Sequence, residues 1–189
     1  MRKLVSFLAS LATVASLSLA QIGCGHEHDE NKHGNITTLE VILTDGSTTI
    51  RAKAVDLDGD GGNPPRVDSL FLPAGRSFSG RIELLDESKN PPQSRTEEIR
   101  RDADTHRFRF SVSGGAQGRV IVSNLDRDSK GQEFGMRFDL RITSGAATQG
   151  SLRITLEHHD TGDKSAGIFD TDIDATFPVL IGASAIASN

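Results

Sequence analysis

The chain has no tryptophan and no tyrosine, and it has one cysteine among 189 residues. Nine phenylalanines supply all the benzene-ring packing. Without indole or phenol rings the usual amphipathic stacking surfaces for sugars are missing, so carbohydrate binding loses ground. A single cysteine excludes an intrachain disulfide, and stability must come from a core. Positive charge is short too. Lys and Arg number 21 against 26 Asp and Glu, a net charge of −5. That balance argues against nucleic acid and against anionic lipid headgroups as partners. Catalytic signatures are also absent. No phosphate-binding loop or dinucleotide fingerprint occurs. Ser113-Gly114-Gly115 lacks the strand-to-helix elbow and the histidine that a nucleophilic serine needs. The expectation is a protein that is not an enzyme.

What is present begins at the N-terminus. Met1-Arg2-Lys3 is followed by an apolar stretch from Leu4 to Leu19, then Ala20-Gln21-Ile22-Gly23-Cys24. A basic start, an apolar centre and a small residue before the cut form a bacterial export leader. The apolar stretch is shorter than the roughly 20 residues a membrane-spanning helix needs. A lone cysteine directly after Gly23 resembles the acceptor of a diacylglycerol anchor in bacterial lipoproteins. Cys24 is therefore the expected lipidation site and the link to a membrane. Stable anchoring takes more than one acyl chain, which such lipoproteins carry. Gln21 stands where the lipoprotein pattern usually has leucine. Ser18-Leu19-Ala20 also suits ordinary cleavage after Ala20, so secretion is the alternative. Removal of residues 1–23 takes Arg2 and Lys3 with it and moves the net charge from −5 to −7.

Residues 24–35 read as a tether. Gly25 to Asn35 contains no apolar side chain and cannot pack. It holds His26, His28 and His33 beside Glu27, Asp29 and Glu30, a set able to bind zinc or copper. The competing reading is a solvated acidic spacer. Metal binding there would carry the cost of ordering a floppy segment.

From residue 36 onward the pattern changes to period two. Leu39, Val41 and Leu43 alternate with more polar neighbours, and Asp45-Gly46 is a strong hairpin signal. Further strands are expected over Thr48–Val55, Val67–Leu72, Phe78–Leu85, Phe108–Val112, Arg119–Leu125, Met136–Thr143, Ser151–His158 and Ile173–Ile181. About nine half-apolar strands predict an all-β fold, an Ig-like antiparallel β-sandwich over residues 36–189. One interruption is helical. Ser94 and Glu97 have capping-box spacing, and Thr96–Thr105 reads as a short helix burying Ile99, Ala103 and His106. Glu97 and Arg101 would pair on its outer face.

Acidic loops are the other candidates for chemistry. Asp56, Asp58 and Asp60 alternate with Leu57 and Gly59 ahead of Gly61-Gly62, a pattern that can turn several oxygens towards one calcium ion. It is not an EF-hand, since no helix precedes it and Val67 stands at the bidentate position. Asp126 and Asp128, with Asn124 before and Gly131 after, form a second such loop, and the two loops could lie close together. The competing reading is that Asp-Gly runs are good turns. His158 is in phase with Leu152, Ile154 and Leu156, which makes it an edge of the core. Glu98, Asp102 and His106 stand at i, i+4 spacing, though His106 is also the end of the buried stripe. Asp170, Asp172 and Asp174 line one face of the last strand, as a solvated face or around a cation.

Together these segments resemble a family of small bacterial lipoproteins of the Bacteroidetes type. The resemblance rests on Val55 to Gly62, Leu84 to Pro91, Thr96 to Ile99, His106, Leu125 to Asp128, Gly135, Leu156 to His158 and Asp172 to Val179. Members carry the label "type 1 periplasmic binding fold superfamily", a fold that alternates strands with long helices. This chain's own pattern instead offers many strands and one short helix. Family members tend to be encoded near TonB-dependent outer-membrane receptors, which implies a part in capturing or delivering a nutrient. The resemblance carries no catalytic residue. The expected function is a non-catalytic outer-membrane lipoprotein, a binding or accessory module handing a metal ion or metal complex to a receptor protein. The alternative is a structural or adhesion module rigidified by calcium at Asp56–Asp60.

Overall fold

Alternating apolar side chains organise residues 35–59 and 62–183, the residues described by this computed structural model, into two packed sheets. Along the chain come β1 (Thr38–Thr44), β2 (Thr49–Val55), β3 (Arg66–Val67), β4 (Leu70–Pro73), β5 (Ser77–Asp86) and β6 (Gln93–Ser94). Helix α1 (Thr96–Arg101) follows and tightens into a 3-10 turn at Ala103–Thr105. Then come β7 (His106–Gly114), β8 (Val120–Ser123), β9 (Arg137–Ile142), β10 (Thr148–His158) and β11 (Asp170–Gly182). The larger sheet runs β3-β2-β1-β5-β9-β8, with β6 paired onto β5. The smaller sheet runs β4-β11-β10-β7. Among the described residues no helix is long and apolar enough to cross a membrane.

The core lies between the sheets. Leu39, Val41 and Leu43 of β1 and Phe138, Leu140 and Ile142 of β9 are buried, as are Leu152, Ile154 and Leu156 of β10. Phe177 of β11 is fully buried opposite Leu152. These are the positions that period-two reading selects. Strand β1 departs from simple alternation, because Ile42 on its outer face is also fully buried. The register sets Ile42 between Arg51 of β2 and Arg81 of β5, and long basic stems of this kind cover apolar surface while their charged ends stay wet.

The sandwich is all-β as expected, with two refinements. Val67–Leu72, expected as one strand, is split between the sheets. The Asp68 carboxylate accepts the Lys53 amide at 3.0 Å, and the Asp68 amide donates to the Lys53 carbonyl at 2.9 Å. That pair of bonds ends β3 on the edge of the larger sheet and lets the chain cross to become β4. Strand β4 then runs parallel to β11, the one parallel pairing in an otherwise antiparallel set of described strands. The split and the short strand β6 bring the strand count to eleven.

The capping box is a correction. Ser94 belongs to β6 and pairs with Leu85, so the residue at the helix N-cap is Arg95, with no side-chain cap. The Thr96 hydroxyl instead ties the helix start to β5, accepting the Leu84 amide at 2.9 Å. Helix α1 ends at Arg101 rather than Thr105. Glu97 pairs with Arg100 at 3.5 Å, and the Arg101 guanidinium reaches the Glu97 carbonyl at 3.4 Å. Ile99 and His106 are fully buried beneath the helix, as its apolar stripe requires.

Close backbone approach is concentrated at Gly150 of β10. A Cβ there would lie 2.2 Å from the Ser113 carbonyl oxygen and 2.6 Å from the Ala116 amide nitrogen. Both obstacles are main chain and cannot rotate away. Gly150→Ala should cost about 3 kcal/mol, the upper end of an overpacking penalty. Urea unfolding followed by circular dichroism measures it, and a cost below about 1 kcal/mol would mean that β7 and β10 can separate there.

Candidate metal centre

One end of the smaller sheet gathers the histidines. His106 is the first residue of β7, His158 is the last of β10, and the two form a cross-strand pair. Cross-strand partners project to the same face, here in phase with inward-facing Phe108 and Leu156. The two imidazole rings stand 4.6 Å apart between centroids, tilted by 58°. His106 is fully buried and His158 half-buried.

The third member comes from a bulge. Ile173 of β11 pairs with Leu156, but Thr171 pairs with the next residue, Glu157, which leaves Asp172 as an extra residue. A bulge of this kind re-aims a side chain. It breaks the single acidic face expected for Asp170, Asp172 and Asp174. Asp174 is exposed and ion-paired with Arg153, whereas the Asp172 side chain is largely buried. Asp172 Oδ2 lies 3.4 Å from His106 Nε2 and 3.9 Å from His158 Nδ1. One ligand atom from each of His106, His158 and Asp172 falls within 4.8 Å of the others.

Hydrogen bonding sets the His106 tautomer. His106 Nδ1 is 2.8 Å from the Asp102 carbonyl oxygen. A carbonyl only accepts, so Nδ1 carries a hydrogen, and the ring turns Nε2 towards Asp172 Oδ2 at 3.4 Å. Asp172 Oδ2 is buried and accepts no hydrogen bond. Asp102 is the C-cap residue of α1, and its carbonyl is how the helix positions the site.

Beside this cluster lies a groove of about 510 Å³, walled by Ile36, Asp56, Pro65, Val67, Asp172 and Asp174, among others. Its carboxylates make it a cation-attracting cleft. On the opposite face of β10, Glu157 is buried and clamped by Arg107 at 2.7 Å and Arg109 at 2.6 Å, with His159 Nε2 at 3.2 Å. Burial alone would raise the Glu157 pKa, but the two guanidinium groups outweigh it and hold the carboxyl below its usual range. This is a buried ion-pair network, although His159 Nδ1 has no hydrogen-bond partner.

No family model matches the chain, and no curated protein matches it. Among solved structures it is similar to domains 4 and 5 of the S-layer protein SbsC, with a TM-score of 0.30 and 13% identity over 76% of this chain. The match spans 65% of that chain's length.

The residues singled out from the sequence are distributed differently from the histidine cluster. Cys24, His26, His28, His33 and Asp60 lie outside the described residues. The Asp56 carboxylate accepts the Gly59 amide at 2.8 Å. Asp58 accepts both the backbone and the side-chain amide of Asn63, at 3.0 and 2.7 Å, and these bonds lower its pKa. Both carboxylates thus act as turn acceptors. Asp126 accepts the Arg137 amide at 3.0 Å. The Asp128 side chain is fully buried against Lys164 at 2.7 Å, so its charge is balanced by an ammonium group. The two acidic loops do not meet. Asp56 follows β2 and Asp126 precedes β9, three strand positions away in the larger sheet. At roughly 4.8 Å per position, that is about 14 Å, too far to share one ion.

Proposed function

We propose that the chain is a non-catalytic lipoprotein of the bacterial cell envelope, held through Cys24. Its sandwich works as a binding or accessory module that captures a metal ion or metal complex for an outer-membrane receptor protein. The carrying observation is the position of Cys24, a lone cysteine directly behind an export leader and ahead of an apolar-free tether. The groove walled by Asp56 and Asp172 supports the binding half of the reading, because carboxylates there favour a cation at one end of the sandwich.

The test is radiolabelled palmitate fed to a Gram-negative host expressing the full chain. Label should enter the wild type and be lost in Cys24→Ser, which should move from the membrane to the soluble envelope fraction. Absence of label in the wild type, with a mature N-terminus at Gln21, would replace the anchor with secretion after Ala20.

A further inference from the structure

We propose that His106, His158 and Asp172 form a binding site for one zinc-class divalent cation, within the sandwich and independent of the histidine-rich tether. The inference deepens the binding-module reading by naming the ligand. It stands on the sandwich alone, however, and holds whether the chain is anchored or secreted.

The argument starts from the ligand types. Two imidazoles and one carboxylate suit zinc and its neighbours, and three protein ligands leave a fourth position for water or a captured group. The spacing follows. With metal–ligand bonds of about 2.0–2.1 Å, tetrahedral ligand atoms stand about 3.3–3.5 Å apart. The edge from His106 Nε2 to Asp172 Oδ2 is 3.4 Å and meets this without movement. The edge from His158 Nδ1 is 3.9 Å, half an ångström long. The His158 side chain is the more exposed of the two, and closing the gap takes a turn of its ring, whose Nε2 stands 3.5 Å from Asp160 Oδ1.

The electrostatics point the same way. The Asp102 carbonyl holds the hydrogen on His106 Nδ1, which is the outer bond expected of a metal-ligating histidine. The same bond turns the His106 Nε2 atom towards the buried Asp172 Oδ2. A buried carboxylate oxygen with two ring nitrogens at 3.4 and 3.9 Å favours a positive charge at their centre. A cation supplies that charge, and Asp172 also walls the groove that opens beside the cluster.

The test uses zinc alone, titrated by calorimetry into the chelator-stripped chain from Cys24 onward, carrying His26→Ala, His28→Ala and His33→Ala. One zinc per chain should still bind. Asp172→Asn and His158→Ala, each added to that background, should weaken binding at least tenfold with the circular dichroism spectrum unchanged. Cobalt should give the visible absorption of a four-coordinate site, and each variant should abolish it. No zinc bound after the tether substitutions would overturn the site. Binding that survives both Asp172→Asn and His158→Ala would do the same. Neither result touches the anchoring reading, which palmitate labelling decides separately.

Discussion

Truncating Phe177 to alanine should cost about 4 kcal/mol, within the range for emptying a buried aromatic position. Phe177 lies in the middle of β11, fully buried, paired with Leu152 across to β10. It faces the larger sheet, where Phe138, Leu140 and Ile142 of β9 and Leu39, Val41 and Leu43 of β1 complete the core. Both sheets are hydrogen-bonded frameworks, so neither can collapse far into the vacancy, and the cavity term is added to the lost transfer energy. With a urea slope of about 2 kcal/mol/M, the unfolding midpoint should fall by about 2 M. That is a large share of the roughly 5–15 kcal/mol that such domains possess. Phe177→Leu keeps most of the volume and should cost about 1.5 kcal/mol. Equal losses for the two variants would mean that the site rearranges around any change, contrary to a close-packed core.

Phe177 also shows what could be read in the chain itself. It sits in phase with Ala175, Val179 and Ile181, and all four are buried. The same alternation located β1, β5, β7, β9 and β10, and with them the sandwich. Where backbone hydrogen bonds, rather than apolar spacing, decide the outcome, the sequence pattern was silent. The switch of sheets at Asp68 depends on two bonds to Lys53, and the pattern of Val67–Leu72 continues through it. Ser94 and Glu97 have the right spacing for a capping box, but strand pairing with Leu85 takes Ser94 first.

The candidate site was hidden for a related reason. His106 and His158 are 52 positions apart in sequence and were each explained by burial. Only the β7–β10 register makes them a pair. Asp172 looked like one of three equivalent acids, because alternation assumes an unbroken strand. The bulge opposite Leu156 and Glu157 separates it from Asp170 and Asp174. A histidine opening one strand and another closing a later one is a usable signal, but only once the pairing is known. The acidic loops are the opposite case. Their spacing is visible in the sequence, and the structure adds the bonds their carboxylates accept from Gly59, Asn63, Arg137 and Lys164.

Lys164→Met should destabilise the protein by about 3 kcal/mol at neutral pH, the lower end for breaking a buried ion pair, since this one lies within surface loops. Lys164 sits between β10 and β11, and Asp128 sits between β8 and β9. The Lys164 ammonium donates to Asp128 at 2.7 Å and to the Glu133 carbonyl at 3.2 Å, so one side chain pins two loops together. Burial by itself would raise the Asp128 pKa. The Lys164 ammonium and the Gln132 and Lys130 amides outweigh burial and hold the carboxyl below its usual range. A depressed folded-state pKa gives stability that is present above the unfolded carboxylate pKa and is lost as pH falls through the folded value. Methionine keeps the apolar stem but leaves a buried carboxylate with only backbone donors, which favours its protonation. The gap between wild type and Lys164→Met should therefore be widest near neutrality and narrow steadily as pH drops through the carboxylate range. Thermal melts from pH 7 down to pH 3 measure it. A gap that stays constant with pH would show that the Lys164 ammonium acts through the Phe134 ring beneath it rather than through the Asp128 carboxylate.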